Sequence, residues 1–530
     1  MGLVSFRAGR RPSDRQCSVG LGEELLQRLV LIFVIVVSNL LAGCETRPET
    51  KVDSGEPVRD TFVGTMPGDT TTDASFDIGD VDNELPDGGA LIENVEAVPN
   101  PSNALSYFVE WSTTAKASTG LVVECGDDWR QTYWSDGRST EHDVFVMGLW
   151  AGATCTFTAY AVTADGVRAA ASTQVEVGPV AEHLPKLTVG ARKEKKMQAG
   201  WTLFNVTNWF KRPPLTVAMV DSEGRYRWYH QLSTSDSGDD TVVEVIDDGA
   251  HILVGGNRKH RGPRLLDWEG NVVWKEDFQM HHDIQATEDG KYFYFLTRAD
   301  NCQGSYNTGV IAKYSREKEK VVERWPFCHY YTPPQKNPKN DWDHLNAIEF
   351  FPNGEDVLLS GRHLHTLYKF DLESEKLEWK LGLHGEFGLP DTDQFYRQHA
   401  PEIQPNGNIL VYDNGTHLMG VNRRYSRALE ISYDADEMTA KGVWSYVSEA
   451  KYYTWIWGDA DRLENGNTLI TYGYRHKKGK PSTLQEVTPS KQKVWELQMP
   501  VSWSWYRAER ITEMPTGYVK KQASTTGGTK

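Results

Sequence analysis

The chain has 530 residues, six cysteines and a formal net charge of -16. At roughly 100 to 200 residues per domain it has room for two or more packed units, and its acidity speaks against a general nucleic-acid binder, whose footprint over the phosphates is basic. Eighteen Trp and 23 Tyr, with 46 Gly and 24 Pro spread as turn punctuation, favour an all-β fold over a helical bundle.

Residues 1–43 read as an export signal. Arg7, Arg10, Arg11, Arg15 and Arg28 precede an apolar run from Leu29 to Val37, which is too short to span a bilayer comfortably. Leu41-Ala42-Gly43-Cys44 follows and resembles a bacterial lipobox, which implies that Cys44 is the first mature residue and carries the lipid. The alternative is an uncleaved N-terminal anchor. Glu45 stands where an Asp would favour inner-membrane retention, so the expected location is exported and lipid-anchored at the outer membrane, facing the periplasm or the cell surface. Residues 44–90 read as an acidic, disordered tether: Glu45 to Ala90 holds twelve acids and three bases, and so polar a tract cannot bury enough surface to offset chain entropy. It carries nine of the sixteen net negative charges, so the folded remainder is only mildly acidic and an anionic substrate stays open.

Residues 91–182 alternate apolar and polar side chains in Tyr107–Trp111, Gly120–Glu124, Asp143–Met147 and Cys155–Val162. That period predicts short strands, and their spacing suggests a small fibronectin-III-like β-sandwich with a structural or interaction role. Cys125 and Cys155 fall in this region, and Cys302 and Cys328 lie further on. In an exported chain two nearby pairs are expected to form two disulfides, with buried free thiols as the alternative. None has the spacing of a zinc site.

Residues 187–514 form a repeat array. The unit is an apolar strand, a tight turn ending in Gly, and a second apolar strand, followed by an outer strand carrying Trp. It recurs around Gly249, Gly290, Gly354, Gly407 and Gly466, and a degenerate copy at Leu215 to Tyr229 makes six. A four-stranded unit cannot bury both faces alone, so the expected fold is all-β: a six-bladed β-propeller behind the sandwich. Trp503 to Ile511 is placed as the innermost strand of the first blade, closing the ring. Residues 515–530 read as a flexible tail.

The turn glycines also give a ruler. Residues at equal distance before them sit at one height on the innermost strands: eight residues before stand His282, Asn346 and His399, and eight after, back at the same end, stand Arg298 and Arg362. His344 lies two residues before Asn346, with Asp341 and Trp342 in the loop above it. A metal site wants neutral imidazoles and carboxylates, and a permanent cation among the ligands opposes the ion, so no metal and no cofactor is expected. Guanidinium and amide donors suit an oxyanion, and a histidine can take up the transferred group while another serves the leaving oxygen.

His281-His282-Asp283, Asp341 to Ile348 with its Trp-Asp-His-Leu-Asn core, Leu358 to His363, Gln398-His399 and Leu410 to Gly415 together resemble the motifs of bacterial aryl-sulfate sulfotransferases. The resemblance covers nearly all of the chain after the tether and implies a β-sandwich followed by a six-bladed propeller. It implies transfer of a sulfuryl group from a small phenolic sulfate donor to a phenol acceptor through a sulfated histidine. Carried over by motif, His399 is the nucleophile, and His282, His344, Asn346 and Arg362 hold the sulfuryl oxygens and assist phenolate departure. His281, Arg298 and Trp342 are the expected substrate contacts. The alternatives are a propeller that binds or hydrolyses sulfate or phosphate esters, and a non-catalytic cell-surface propeller. The partners expected are therefore phenolic donors and acceptors and a membrane reached through the lipid, with no nucleic acid.

The anchor has a direct test: Cys44→Ala should release the protein from the membrane fraction, and unchanged fractionation of that variant would refute lipidation at this cysteine.

Overall fold

The computed structural model describes residues 91–512 except 127–128, 209, 212, 233–240, 257–261, 303–305, 333–340, 419 and 474–479, and leaves undescribed the side chains of 136, 241, 299–302 and 306. The signal, tether and tail expected at 1–43, 44–90 and 515–530, with Cys44, lie outside these residues. What is described is all-β: antiparallel sheets with no α-helix, and no helix long and apolar enough to cross a membrane.

The N-terminal region is one connected five-stranded sheet, Ile92–Asn100, Asn103–Cys125, Trp129–Val146, Thr154–Thr163 and Arg168–Glu176. The strands predicted at Tyr107–Trp111 and Gly120–Glu124 are two halves of a single strand, Asn103–Cys125. Its pairing with Trp129–Val146 slips between Ser112 and Ala117, and such a bulge lets a strand change direction without ending. Cys125 and Cys155 face each other across the ladder and are disulfide-bonded, as the sequence predicts. Cys328 is disulfide-bonded as well, while the side chain of Cys302 lies outside the described residues.

Six further sheets follow in chain order, each antiparallel with sequential strands. The predicted hairpins are present, for example Leu345–Phe350 with Asp356–Gly361 and His399–Ile403 with Ile409–Asp413. Their turn residues Gly249, Gly290, Gly354, Gly407 and Gly466 have φ of 86°, 63°, 68°, 82° and 82°, a region that residues with a Cβ enter only at a cost. Both faces of a sheet are buried, and alternate residues serve different neighbours. Leu359 packs with the preceding sheet through Leu296 and Ile311, whereas Leu358 packs with the following one through Ile409 and Val411. The sequence of apolar interfaces is cyclic, because Leu469, Leu484 and Trp495 of the last sheet pack with Phe204, Val206 and Ala218 of the first.

Two pairings between distant parts of the chain hold the array closed. Ala508–Ile511 and Trp503–Ser504 pair with Trp201–Asn208 of the first sheet, as the sequence predicts for this segment. Thr188–Arg192, for which no strand is predicted, adds a fifth strand to the last sheet beside Lys493–Gln498. Five residues of little alternation carry no clear period, and the open edge they complete is set by tertiary context.

One buried ion cluster fixes the loop after Ile409–Asp413. Asp413 accepts from Arg427 Nε at 2.8 Å, from Arg423, and from the backbone N–H groups of Tyr396 at 2.9 Å and Gly415 at 3.1 Å. Its side chain is fully buried. Asp413→Ala should therefore lower unfolding stability by about 3 to 5 kcal/mol, the usual loss on removing one partner of a buried pair, measured as a fall in the denaturant midpoint at unchanged m-value.

Candidate active site

His282, Asn346 and His399 stand at or beside the starts of inner strands of three successive sheets, and Arg298 and Arg362 lie on or just past the second strands of two of them. The structure brings this set together. The Nε2 atoms of His282 and His344 are 3.0 Å apart, and the His281 ring lies 4.0 Å from that of His282 and 5.2 Å from that of His344, centroid to centroid. His399 is close enough to His282 and Arg362 for their charges to act on one another. Local backbone strain accompanies the cluster: φ is 69° at His282, 63° at Asp341, 45° at His344 and 62° at Trp457. Positive φ at such residues is sustained by surrounding structure and is common at functional sites.

The backbone groups around His399 assign its tautomer. Nδ1 lies 3.1 Å from the carbonyl oxygen of Arg397 and 2.7 Å from Asn414 Oδ1, and the N–H of Trp457 points at Nε2 from 3.2 Å. Asn414 cannot be the other way round, because its Nδ2 donates to two carbonyls, Thr454 O and Trp457 O, both at 2.8 Å. Nδ1 therefore carries the hydrogen and Nε2 the lone pair. Burial and then the Arg362 guanidinium hold this imidazole well below its ordinary pKa of 6.5, so it is neutral. The structure supplies Asn414, fifteen residues on, from the end of the paired strand.

A second chain of hydrogen bonds runs through the other histidines. His344 Nδ1 donates to Asp341 Oδ2 at 2.5 Å, so its Nε2 accepts from His282 Nε2–H, and His282 Nδ1 faces the Tyr506 hydroxyl at 3.4 Å. Asp341 also pairs with Arg298 Nη2 at 3.2 Å, and Arg298 donates to His281 Nε2. His363 donates from Nδ1 to the carbonyl of Asp341 at 2.9 Å and accepts from Arg362 Nη1 at 2.9 Å, while Arg362 Nη2 donates to Trp455 O at 2.9 Å. Burial, reinforced by neighbouring positive charge, depresses every one of these imidazoles: His281 to about 3, and His282 and His344 well below 6.5. The nitrogens of His281, His282 and His344 lie within 4.8 Å of one another, a spacing that a divalent metal can use. Arg298 shares that space, and a fixed cation there opposes an ion and favours an anion.

One placement differs from the sequence reading, that of Trp342. Asp283, next to His282 in sequence, makes a bidentate pair with Arg507 at 3.0 and 3.1 Å and accepts from the Ile348 N–H at 3.0 Å. Trp342 is buried among Phe327 and Tyr331, stacked on both. Asn346 is fully buried and donates to the carbonyl of Gln398 at 2.9 Å, beside His399. Asn414, Tyr506, Arg507 and His363 were not assigned from sequence. Tyr506 and Arg507 belong to the closing segment, which has no turn glycine from which to count, and Asn414 lies inside a quoted motif at a height that the ruler does not select.

The sequence profile of the Arylsulfotransferase (ASST) family matches residues 186–507. No curated protein sequence matches the chain. Among solved structures, a periplasmic gluconolactonase of Pseudomonas aeruginosa is 13% identical with a TM-score of 0.37, over 74% of this chain and 98% of that one. The hydrazine synthase of Kuenenia stuttgartiensis is 12% identical with a TM-score of 0.31, over 49% of this chain and 65% of that one. Overlaps this loose carry no functional argument. The family profile, by contrast, spans well over half of the chain and includes His281, His282, His344, Arg362, His399, Asn414 and Arg507, so this protein is a member of the arylsulfotransferase family.

Proposed function

We propose that the protein transfers a sulfuryl group from a phenolic sulfate ester to a phenol by way of a sulfohistidine at His399. The observation that carries this reading is the tautomer of His399: a neutral imidazole whose Nδ1–H is committed to two carbonyl oxygens and whose Nε2 carries the lone pair, with the Trp457 N–H pointing at it from 3.2 Å. In the first half-reaction Nε2 exchanges the long Trp457 N–H bond for sulfur, its lone pair forming an N–S bond as the S–O(aryl) bond breaks, and the electron pair leaves on the phenolate oxygen. Arg298 and Arg362 provide the positive field in which the sulfonate and the departing phenolate are held. In the second half-reaction the acceptor oxygen attacks sulfur and the N–S pair returns to Nε2. The acceptor phenol loses the one proton that the departed phenolate gains. The hydrogen-bonded pair His282–His344 can carry it, because Asp341 on His344 Nδ1 is placed to stabilise an imidazolium there when His282 passes its Nε2–H across.

We read the six sheets as the blades of a propeller and the N-terminal sheet as a fibronectin-III-like sandwich packed beside it. What supports the first is the cyclic order of apolar interfaces and the bonding of the first and last sheets to distant ends of the array. The lipid-anchored, outer-membrane location is proposed on the N-terminal sequence.

Incubation with p-nitrophenyl sulfate and no acceptor should add one sulfuryl group to the peptide containing His399, seen by mass spectrometry, and phenol should discharge it. An adduct on His282 or His344 would reverse the assignment of roles, and acceptor-dependent turnover in His399→Asn would refute the covalent path. Release of p-nitrophenol at equal rate without phenol would make the enzyme a hydrolase. Arg362→Ala should cost about a hundred- to a thousand-fold in turnover, the scale of a lost oxyanion donor. The burst rate should also stay level as pH falls below 6.5, because the nucleophile must be neutral and its pKa lies well under that value.

A further inference from the structure

We infer that Asn414 is a positioning residue that keeps the sulfohistidine protonated on Nδ1, and so keeps it a competent donor for the second half-reaction. This rests on the reading of His399 as the nucleophile. Attack through Nε2 leaves the hydrogen on Nδ1, so the first product is a sulfo-imidazolium whose cationic ring balances the sulfonate charge. Its leaving group in the next step is neutral imidazole. Were Nδ1 to lose that hydrogen, the leaving group would be an imidazolate, far more basic and far slower to depart.

Every group around Nδ1 prevents that loss. Its two acceptors, Asn414 Oδ1 at 2.7 Å and Arg397 O at 3.1 Å, are amide oxygens, which hold a hydrogen bond but do not take the proton at any ordinary pH. The side chain is locked in this role from behind. Asn414 Nδ2 donates to Thr454 O and Trp457 O, and the Asn414 carbonyl accepts from Ser426 Oγ at 2.9 Å. Asn414 is fully buried, and the Asp413 ion cluster anchors the residue before it. The contrast inside the same site is informative. His344 has a carboxylate, Asp341, on its Nδ1, the partner suited to an imidazole that collects a proton. His399 has an amide, the partner suited to an imidazole that must neither gain a proton before attack nor lose one after it. A carboxylate at 414 would instead accept the Nδ1 proton from the adduct and leave imidazolate as the leaving group of the second step.

The test separates the half-reactions in the full-length protein with p-nitrophenyl sulfate as donor and phenol as acceptor. Asn414→Asp should still form the adduct but discharge it to phenol more slowly by about a hundredfold, the scale of proton assistance withheld from a leaving group. Asn414→Ala adds no base and should slow charging and discharge alike. Equal slowing of both steps in Asn414→Asp, or unchanged discharge, would overturn the inference, as would selective slowing in the alanine variant. If Asn414→Asp does not fold, wild-type protein labelled with 15N-histidine and trapped with donor decides it: Nδ1 of the adduct should give a protonated shift, and a deprotonated one would overturn the inference. Failure to find any adduct on wild-type His399 would instead remove the nucleophile assignment on which it rests.

Discussion

The site depends on the closure of the sheet array by its C-terminal segment. Ala508–Ile511 completes the first sheet by pairing with Trp201–Phe204, and the residues just before it are delivered into the histidine cluster as a consequence. Tyr506 faces His282, and Arg507 clamps Asp283. Arg507 is the buried cation of a region otherwise populated by Asp283, Glu244, Asp459, Asp461 and Glu509, whose carboxyl groups burial pushes up in pKa. Closing the fold and completing the site are thus one event, because the strand that supplies backbone hydrogen bonds to the first sheet also supplies the charge on which the inner layer relies.

That arrangement stacks two electrostatic environments along the innermost strands. The upper layer holds neutral histidines beside Arg298 and Arg362, and the lower one holds carboxyl groups around Arg507. Guanidinium groups among neutral rings favour an anion at the histidine level. Neutrality of the imidazoles is a product of the same burial. Deprived of water and placed near guanidinium groups, they stay uncharged.

Within the upper layer, the partner at Nδ1 distinguishes the two principal histidines. An amide partner fixes orientation without titrating, whereas a carboxylate partner fixes orientation and also stabilises charge. His399 with Asn414 and His344 with Asp341 are the same ring under these two regimes. On the function proposed above, the division of labour between attack and proton handling follows from the partners and not from the rings themselves.

Much of this is written in the sequence. The strand periods, the turn glycines and their spacing determine the hairpins and place His282, Asn346, His399, Arg298 and Arg362 at one level, because residues counted from a fixed turn occupy fixed heights on the strands they begin or end. The segment Trp503 to Ile511 is legible as a closing strand because it follows the last repeat. Tertiary structure alone decided what each side chain meets. Asn414 reaches His399 across a strand pair, Asp283 turns from His282 to Arg507, Trp342 enters an aromatic core, and Thr188–Arg192 finds an edge built from residues three hundred positions away. Height along a strand is a local quantity that counting recovers. The rotamer, the tautomer and the partner depend on packing between sheets, which no local period encodes.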